Sequence, residues 1–260
     1  MTDEPIIQVD GVAQHFGERT IFRDVSFRVF PREIFVILGS SGCGKSTLMR
    51  QLIGLLHPSS GQIALFGRAI TGPDHEAALS EEQRHIGVMF QSGALFGSMT
   101  LLENVMLPLE MFTDLPLEGR EAVARVKLGL VGLADAAALM PAEISGGMAR
   151  RAGIARAMAL DPPLLLLDEP SAGLDPITSA GLDRLILDLR QDLGATFVVV
   201  THELASIMAI ADRCIMLDRD AYPDAGGMIA EGEPRVLRDT STHPTVRAFF
   251  RRELPQSAAA

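Results

Sequence analysis

A glycine-rich segment near the start of the chain has the residue types that bind a phosphate chain. It reads Gly39-Ser40-Ser41-Gly42-Cys43-Gly44-Lys45-Ser46 and fits the pattern G-x-x-x-x-G-K-[ST]. Its glycines let successive backbone N–H groups face a phosphate, and the start of the following helix adds unpaired donors. The Lys45 side chain can reach the β- and γ-phosphates, and the Ser46 hydroxyl can ligate Mg²⁺. We therefore expect a nucleoside triphosphate to be bound by Gly39, Ser40, Ser41, Gly42, Cys43, Gly44, Lys45, Ser46 and Thr47.

Two adjacent carboxylates follow the most apolar run of the chain. Four leucines at 164–167 end in Asp168 and Glu169, so a buried strand would present both acids at its carboxyl end. There Asp168 can hold Mg²⁺ through a water molecule, and Glu169 can orient or deprotonate an attacking water. Taken alone, the run fits a strand that ends in an acidic turn equally well. Together with the phosphate-binding segment upstream, it favours hydrolysis of the nucleotide.

Alternating strands and helices predict an α/β core that positions these residues. Runs rich in β-branched and aromatic residues predict strands over 7–12, 25–29, 34–38, 62–66, 86–90, 164–167, 196–200 and 214–217. Helical patterns lie over 46–56, 118–129, 176–193 and 204–211, and 69–83 reads as a loop with a short helix. From about 99 to 158 the spacing is helical, with one apolar face formed by Leu101, Val105, Leu109 and Phe112. This stretch predicts an all-helical insertion in the core.

Composition narrows the classes of function. The chain has 260 residues, is 47% hydrophobic and carries a net charge of −10, which argues against nucleic acid or anionic lipid as the main partner. The acidic start at 1–5 lacks the layout of a signal peptide, and no apolar run approaches the roughly 20 residues that span a bilayer. Cys43 and Cys214 lack metal-ligand spacing and fit a reducing compartment. We therefore expect a soluble, cytosolic chain that serves a membrane process only through a partner.

A third segment carries a family resemblance. Ile144-Ser145-Gly146-Gly147-Met148 resembles the signature L-S-G-G-Q of ABC-transporter ATPases. Other elements of that family occur along the chain in the family's order. Before the signature, Phe16 resembles the aromatic residue that stacks on adenine, and Gln91 resembles the Q-loop glutamine. After it, Ser171-Ala172-Gly173-Leu174-Asp175 resembles the D-loop, and His202 resembles the switch histidine. The resemblance runs from about Val9 to Gly232. A strand-end phenylalanine packed in the core remains an alternative for Phe16.

The resemblance implies a fold and its division into parts. The fold is a P-loop NTPase core, a mixed sheet with flanking helices, joined to an antiparallel β subdomain and an α-helical subdomain. Residues 1–255 would form a single ATPase domain. Within it, 1–91 and 159–255 would be the core with the β subdomain, and 92–158 the helical subdomain with the signature. Residues 256–260 would be a short disordered tail.

The resemblance also implies a mechanism that needs two copies. Two subunits face each other head to tail and sandwich two ATP molecules, each on the phosphate loop of one subunit. Ser145, Gly146 and Gly147 of the other subunit meet the γ-phosphate, and Asp175 communicates across the interface. The implied catalytic residues are Glu169, His202 and Gln91, and the implied Mg²⁺ site comprises Ser46, Gln91 and Asp168.

Departures from the general pattern favour one subgroup. Met148 replaces the usual glutamine, and Ile144 the usual leucine. The segments 145–151 and 173–178 resemble the ATPases of Mla-type and related Mce-associated lipid transport systems. That resemblance implies transport of phospholipid between the inner and outer membranes, with the ATPase on the cytoplasmic face of the inner membrane. The implied partners are a second copy, an inner-membrane permease, a periplasmic MCE lipid-binding protein and, in some systems, a small STAS-domain protein, with no nucleic acid.

Other functions remain open at this point. The same catalytic residues would serve a transporter for another solute, such as an amino acid or metal importer. A soluble ABC protein of ribosomes or DNA is disfavoured by the single domain and the negative charge, and a non-hydrolysing clamp by the presence of Glu169 and His202. In the family, the segment after Gln91 receives a helix of the permease. We expect Met106 and Leu109 to be core residues, whereas Leu95 and Phe96 fit partner contact and internal packing equally.

Overall fold

One mixed sheet organises the part of the chain that the structure describes. The computed structural model describes residues 4–72 and 81–253, so the predicted tail 256–260 and most of the predicted 69–83 segment lie outside it. The strands are β1 (Ile7–Phe16), β2 (Arg19–Val29), β3 (Ile34–Gly39), β4 (Ser60–Leu65), β5 (Arg68–Ala69), β6 (Ile86–Met89), β7 (Leu164–Asp168), β8 (Thr196–Val200), β9 (Arg213–Tyr222) and β10 (Ala225–Gly232). The helices are α1 (Lys45–Leu52), α2 (Leu101–Phe112), α3 (Leu117–Leu130), α4 (Gly146–Ala157), α5 (Pro176–Leu193), α6 (Leu204–Ile210), α7 (Pro234–Thr240) and α8 (Pro244–Arg251).

The sheet has a parallel half and an antiparallel half. Its strand order is β5-β4-β1-β2-β10-β9-β3-β8-β7-β6. Strands β9, β3, β8, β7 and β6 are parallel neighbours, while β5, β4, β1 and β2 pair antiparallel. Strand β10 is antiparallel to β9 and meets β2 in parallel at Gly226 and Phe22. Because β3, β7 and β8 are parallel, their carboxyl ends lie at the same edge of the sheet, where the predicted functional segments follow.

Two apolar layers cover the faces of the parallel half. In β7, Leu165 and Leu167 pack into the layer shared with α2 to α6, whereas Leu164 and Leu166 pack into the layer shared with α1, β1 and β2. All four leucines are at most 1% exposed. A strand buried on both faces needs a continuous apolar run, which explains the leucine repeat. The repeat fixes the position from which Asp168 and Glu169 leave the sheet.

The helical stretch between β6 and β7 is confirmed. Leu101, Val105 and Leu109 are buried along one face of α2, and Thr100 caps that helix in a reciprocal pair with Glu103. The fully buried Asn104 holds the preceding loop, because its amide nitrogen donates to the carbonyl oxygens of three residues of that loop and its side-chain oxygen accepts from one backbone N–H. The acceptor carbonyls belong to Phe96, Met99 and Thr100, and the donor is the N–H of Phe96.

Some predicted boundaries are wrong. Helix α1 ends at Leu52 rather than at 56, because the N–H groups of Gly54, Leu55 and Leu56 fold back on the carbonyl oxygens of Gln51 and Arg50 in a turn. Strands β1 and β2 are longer than predicted, and β5, β10, α7 and α8 were not predicted. No helix within 4–72 and 81–253 is both long enough and apolar enough to cross a membrane.

Candidate nucleotide-binding and catalytic site

The phosphate-binding loop leaves the carboxyl end of β3 and enters α1, as the sequence predicts. Gly39, Gly42 and Gly44 all have positive φ, at 149°, 78° and 101°. At Gly39 a side chain would also place its Cβ 2.2 Å from the Leu217 carbonyl oxygen. The loop therefore needs glycine both for backbone conformation and for its close approach to β9.

The loop forms one wall of a cavity of about 620 Å³. Every predicted residue from Gly39 to Thr47 lines it except Cys43, and Gln91, Glu169 and His202 complete the lining together with Ile21, Ala172 and Phe249. The Lys45 ammonium lies inside the loop and donates to the carbonyl oxygens of Gly39 at 2.8 Å and Ser40 at 3.1 Å. Lys45 is thus held at the loop by weak neutral acceptors that a phosphate can replace.

Cys43 takes a different position from its neighbours in the loop. Its side chain is fully buried in the apolar layer under α1, and burial raises the pKa of its thiol. Only the backbone of Cys43 is available to a nucleotide. Cys214 is also buried, as predicted, and burial raises the pKa of its thiol to about 12.

The two carboxylates at the end of β7 have unpaired oxygens. Asp168 Oδ1 and Glu169 Oε2 are buried without a hydrogen-bond partner. Burial raises the pKa of the Asp168 carboxyl, the neighbouring Glu169 charge raises it further, and Arg50 and Lys45 oppose the rise. Glu169 has a positive φ of 48°, and its N–H donates to the Val200 carbonyl oxygen at 2.8 Å. A strained backbone held by its neighbours is a common feature of functional positions.

The switch histidine contacts the second carboxylate. His202 Nδ1 lies 2.8 Å from Glu169 Oε1, and the His202 side chain is 57% exposed. Because β7 and β8 are parallel with Asp168 paired to Val200, the residues that follow the two strands emerge side by side. The predicted acid and histidine are therefore brought together by the register of the sheet.

Gln91 reaches the cavity from a loop that is anchored to α4. It begins a short 3-10 turn, Gln91–Gly93, directly after β6. Arg156 of α4 donates to the carbonyl oxygens of Gly93 at 3.0 Å and Ala94 at 2.9 Å. At Gly153 a Cβ would come within 2.9 Å of the Gly93 Cα, so helix and loop touch through their backbones. Sequence reasoning did not find Arg156, because its partners are backbone groups that leave no side-chain pattern.

The signature segment lies apart from this cavity. Ser145 caps α4, and its hydroxyl accepts from the Met148 N–H at 3.3 Å. Gly147 packs against Thr178, where a Cβ would meet the Thr178 methyl group at 2.5 Å. Neither Ser145 nor Gly146 nor Gly147 lines the cavity.

The D-loop lies beside the signature segment. Asp175 caps α5, because Oδ1 accepts from the N–H groups of Ile177 at 3.0 Å and Thr178 at 3.1 Å. The bond from the Thr178 hydroxyl is the main cause that holds the pKa of Asp175 below its ordinary value. On the inner side, the buried Arg150 donates to the Ala172 carbonyl oxygen at 3.0 Å. Asp175 therefore has a local structural role that the sequence analysis did not consider.

Phe16 lies at the end of β1 and is 52% exposed. This exposure excludes the alternative that it packs in the core. Its ring is free to stack on a planar group, although it does not line the cavity.

The site suits Mg²⁺ only together with a phosphate ligand. In the described part of the chain, no cluster of three or more His, Cys, Asp and Glu side chains could hold a metal ion. Mg²⁺ takes oxygen ligands, retains several waters and is commonly held by one or two protein groups plus phosphate oxygens. The Ser46 hydroxyl beside the cavity and the unpaired Asp168 Oδ1 fit such a site.

Comparison with known proteins decides the family. The family model described as "ABC transporter" matches residues 22–172 of this chain. The chain belongs to the ABC transporter family. It is an ABC-type ATPase, and the predicted α/β fold class is confirmed. An ATP-binding cassette solved as a dimer in a post-hydrolysis state with ADP and Pi superimposes with a TM-score of 0.76 at 30% identity, over 87% of this chain and 98% of that one.

Curated relatives include transport ATPases of several kinds. The chain is 40% identical to the probable ribonucleotide transport ATP-binding protein mkl of Mycobacterium tuberculosis (strain ATCC 25618 / H37Rv), over 94% of this chain but only 66% of that protein. It is 42% identical to the intermembrane phospholipid transport system ATP-binding protein MlaF of Escherichia coli (strain K12), over 85% of this chain and 82% of that protein. It is also 42% identical to the methionine import ATP-binding protein MetN of Brucella abortus (strain 2308), over 90% of this chain and 61% of that protein.

Proposed function

We propose that this ATPase is the motor subunit of a bacterial inner-membrane transporter that moves phospholipid between the inner and outer membranes. The observation that carries the proposal is the 42% identity to MlaF, which spans 82% of that protein, more of the relative than is spanned for mkl or MetN. The substitution of Met148 in the signature and the segments around it favour the same subgroup. Residues 1–255 form one ATPase domain in this proposal, with 92–158 as its helical part.

ATP occupies the cavity along the phosphate loop. Lys45 exchanges the carbonyl oxygens of Gly39 and Ser40 for the β- and γ-phosphates, a stronger, charge-assisted contact. Ser46, Gln91 and Asp168 would hold Mg²⁺. The ion would supply charge neutralisation at the phosphates. The positive charge of Mg²⁺ also favours the ionised form of Asp168, whose pKa is raised by burial. Phe16 stacks on the adenine.

Glu169 and His202 act on the attacking water. One oxygen of the Glu169 carboxylate contacts His202 at 2.8 Å, and the other is buried and unpaired. The unpaired oxygen accepts a proton from the water, and His202 holds the γ-phosphate and the water in line. Gln91 lines the same cavity and contributes to the same constellation. A general base at this position accounts for a large part of the rate.

The working unit is a head-to-tail dimer. The signature segment and the D-loop are neighbours in the fold, and Ser145, Gly146, Gly147 and Asp175 do not line the cavity of their own chain. In the dimer, Ser145 and the N–H groups of Gly146 and Gly147 meet the γ-phosphate bound to the partner copy. Asp175 lies at the same interface.

The permease docks on the helical part of the chain, at the cytoplasmic face of the inner membrane. Phe96, Met111, Leu115 and Leu117 are between 40% and 66% exposed there, whereas Leu109 is buried and Met106 packs against the core. Apolar and methionine side chains suit adaptable contacts with a short partner helix. Beyond the permease, a periplasmic MCE lipid-binding protein completes the transporter, and a small STAS-domain protein is a further partner of the ATPase.

A solute importer is the second candidate. The match to MetN at 42% identity favours it, because that protein is named for methionine import. Both candidates use the same catalytic residues, so only the co-purifying permease and cargo separate them.

The test is a pull-down of the Glu169→Gln chain from native membranes in the presence of ATP. Mass spectrometry then identifies the co-purifying proteins and lipids. The proposal expects a multi-span permease, an MCE protein and phospholipid, with a lower yield for the Glu169→Gln, Lys45→Ala double variant, in which ATP binding is weakened. A permease with a solute-binding protein would replace the proposal by the importer. Ribosomal or DNA-bound proteins without a membrane partner would overturn both.

A further inference from the structure

A buried cluster of polar side chains connects the chain segments that follow Glu169 and His202. Its members come from three elements: Ser171 from the D-loop, Ser179 and Asp183 from α5, and Ser206 from α6. Ser171, Asp183 and Ser206 are 3%, 8% and 2% exposed. None of the four lines the nucleotide cavity. The catalytic scheme above leaves this cluster without a role.

Ser206 is the hub of the cluster. Its hydroxyl oxygen lies 3.5 Å from the hydroxyl oxygens of both Ser171 and Ser179. Burial raises the pKa of the neighbouring Asp183 carboxyl, and the Ser206 hydroxyl opposes that rise. A serine hydroxyl has one proton to donate and two lone pairs to accept with. Donation to Asp183 and acceptance from Ser171 and Ser179 would use all three.

Two members of the cluster, Ser171 and Ser206, are close in sequence to Glu169 and His202. Ser171 follows Glu169 by two residues, and the Ala172 N–H donates to the Glu169 carbonyl oxygen at 3.2 Å. Ser206 lies four residues after His202, in the first turn of α6, where the Ile207 N–H donates to the Glu203 carbonyl oxygen. The segments that carry Glu169 and His202 are thus joined by two contacts, one between Glu169 and His202 and one between Ser171 and Ser206.

We propose that Ser206 and Asp183 are positioning residues for ATP hydrolysis. The Ser206 hub, anchored on Asp183, holds the D-loop and α6 at a fixed separation, so that Glu169 and His202 stay aligned with the attacking water. A cluster that is fully hydrogen-bonded in a buried place is rigid, whereas one that has lost its hub leaves donors unpaired and lets the two segments shift. Misalignment of catalytic groups slows the chemical step without weakening the contacts that bind the nucleotide.

The experiment compares single deletions of buried hydroxyl groups in the full chain. Ser206→Ala removes the hub. Thr196→Val is the matched control, because Thr196 is 1% exposed, bonds the Arg32 N–H at 2.9 Å and lies at the opposite end of β8 from His202. We expect Ser206→Ala to lower kcat about tenfold while the KM for ATP changes less than about twofold. Thr196→Val should lower the melting temperature by a similar amount but leave kcat unchanged.

Asp183 provides the second pair of variants. Asp183→Asn keeps an acceptor oxygen for Ser206 and should retain most of the wild-type kcat, whereas Asp183→Ala should match the loss of Ser206→Ala. A wild-type kcat for Ser206→Ala, or equal losses in Ser206→Ala and Thr196→Val, would overturn the proposal. The inference rests on the proposed roles of Glu169 and His202, so Glu169→Gln is measured in parallel. Wild-type turnover in that variant would refute those roles instead.

Discussion

The cavity face and the signature face of this molecule differ in how much of a functional site each one builds. On the cavity face, Lys45, Glu169 and His202 converge on one volume, and Glu169 has an unpaired carboxylate oxygen. On the signature face, Ser145 and Asp175 cap the first turns of α4 and α5 and have their hydrogen bonds within the chain. The first face is a half-site ready for ligand, and the second is a preformed surface with no cavity of its own. This difference is what the proposed head-to-tail dimer accounts for, because it would join the two faces.

The largest effect is expected on the cavity face. Glu169→Gln should lower hydrolysis by about 10²- to 10⁴-fold, the usual contribution of a general base, because the amide cannot take a proton. ATP binding should persist, so the variant should accumulate as an ATP-dependent dimer. Steady-state hydrolysis and light scattering with and without ATP measure the two effects. Hydrolysis at the wild-type rate would remove Glu169 from its assigned role.

Loss of the loop lysine should weaken binding itself. Lys45→Ala should raise the ATP dissociation constant by about 10- to 100-fold, since a hydrogen bond to a charged group contributes about 1.5–3 kcal/mol. Arg184→Ala removes a positive charge that pairs with Asp188 on an exposed helix face, and it serves as the control. Equilibrium binding of a fluorescent ATP analogue distinguishes them. Equal affinities for Lys45→Ala and the wild type would contradict the phosphate-loop assignment.

A smaller effect, on hydrolysis and not on ATP affinity, is expected on the signature face. Ser145→Ala should lower hydrolysis about tenfold and leave the ATP affinity of the single chain unchanged, because in the proposed dimer Ser145 contacts the nucleotide of the partner copy. It should also lose a helix cap, at a cost of about 0.5–2 kcal/mol. Thr100→Ala removes the cap of α2 at a comparable cost in stability. Its kcat therefore shows how much of the loss in Ser145→Ala comes from a lost helix cap alone. A similar kcat in both variants would reduce Ser145 to a cap.

The smallest effect is expected at Phe16. Its half-exposed ring should contribute near the low end of the roughly 1–3 kcal/mol of base–aromatic stacking, so Phe16→Ala should weaken ATP binding about fivefold. Phe16→Tyr should restore the affinity, because it keeps the ring. Isothermal titration with ATP measures both. If Phe16→Ala binds as the wild type does, adenine lies elsewhere.

The sequence predicted the elements whose causes are local. Helix α5 was predicted with its observed bounds, because Pro176 opens it and Gly194, at a φ of 67°, ends it. Strand β7 followed from burial on both faces. By contrast, β10 depends on tertiary pairing. Its Gly226 admits no side chain, since a Cβ would meet the Ile21 carbonyl oxygen at 2.4 Å. Such a strand has no apolar pattern to read.

The same distinction holds in the site. The phosphate loop and the two acids have motifs, and the register of β7 against β8 then brings Glu169 and His202 together. Phe249 and Ala172 also line the cavity, but they are apolar side chains that arrive from the C-terminal helix and the D-loop. Arg150 and Arg156 donate their hydrogen bonds to backbone carbonyl groups. Contacts of these kinds follow from the tertiary fold and leave no trace in spacing.

The most direct test of the central claim is complementation between two impaired copies. The Ser145→Ala chain keeps an intact cavity face, and the Glu169→Gln chain keeps an intact signature face. If each site joins the cavity face of one copy to the signature face of the other, a mixed dimer contains one complete site. Hydrolysis by the mixture should then exceed the sum of the two variants measured alone. Hydrolysis equal to that sum, with mixed dimers verified by mass, would show that each copy works on its own and would contradict the account.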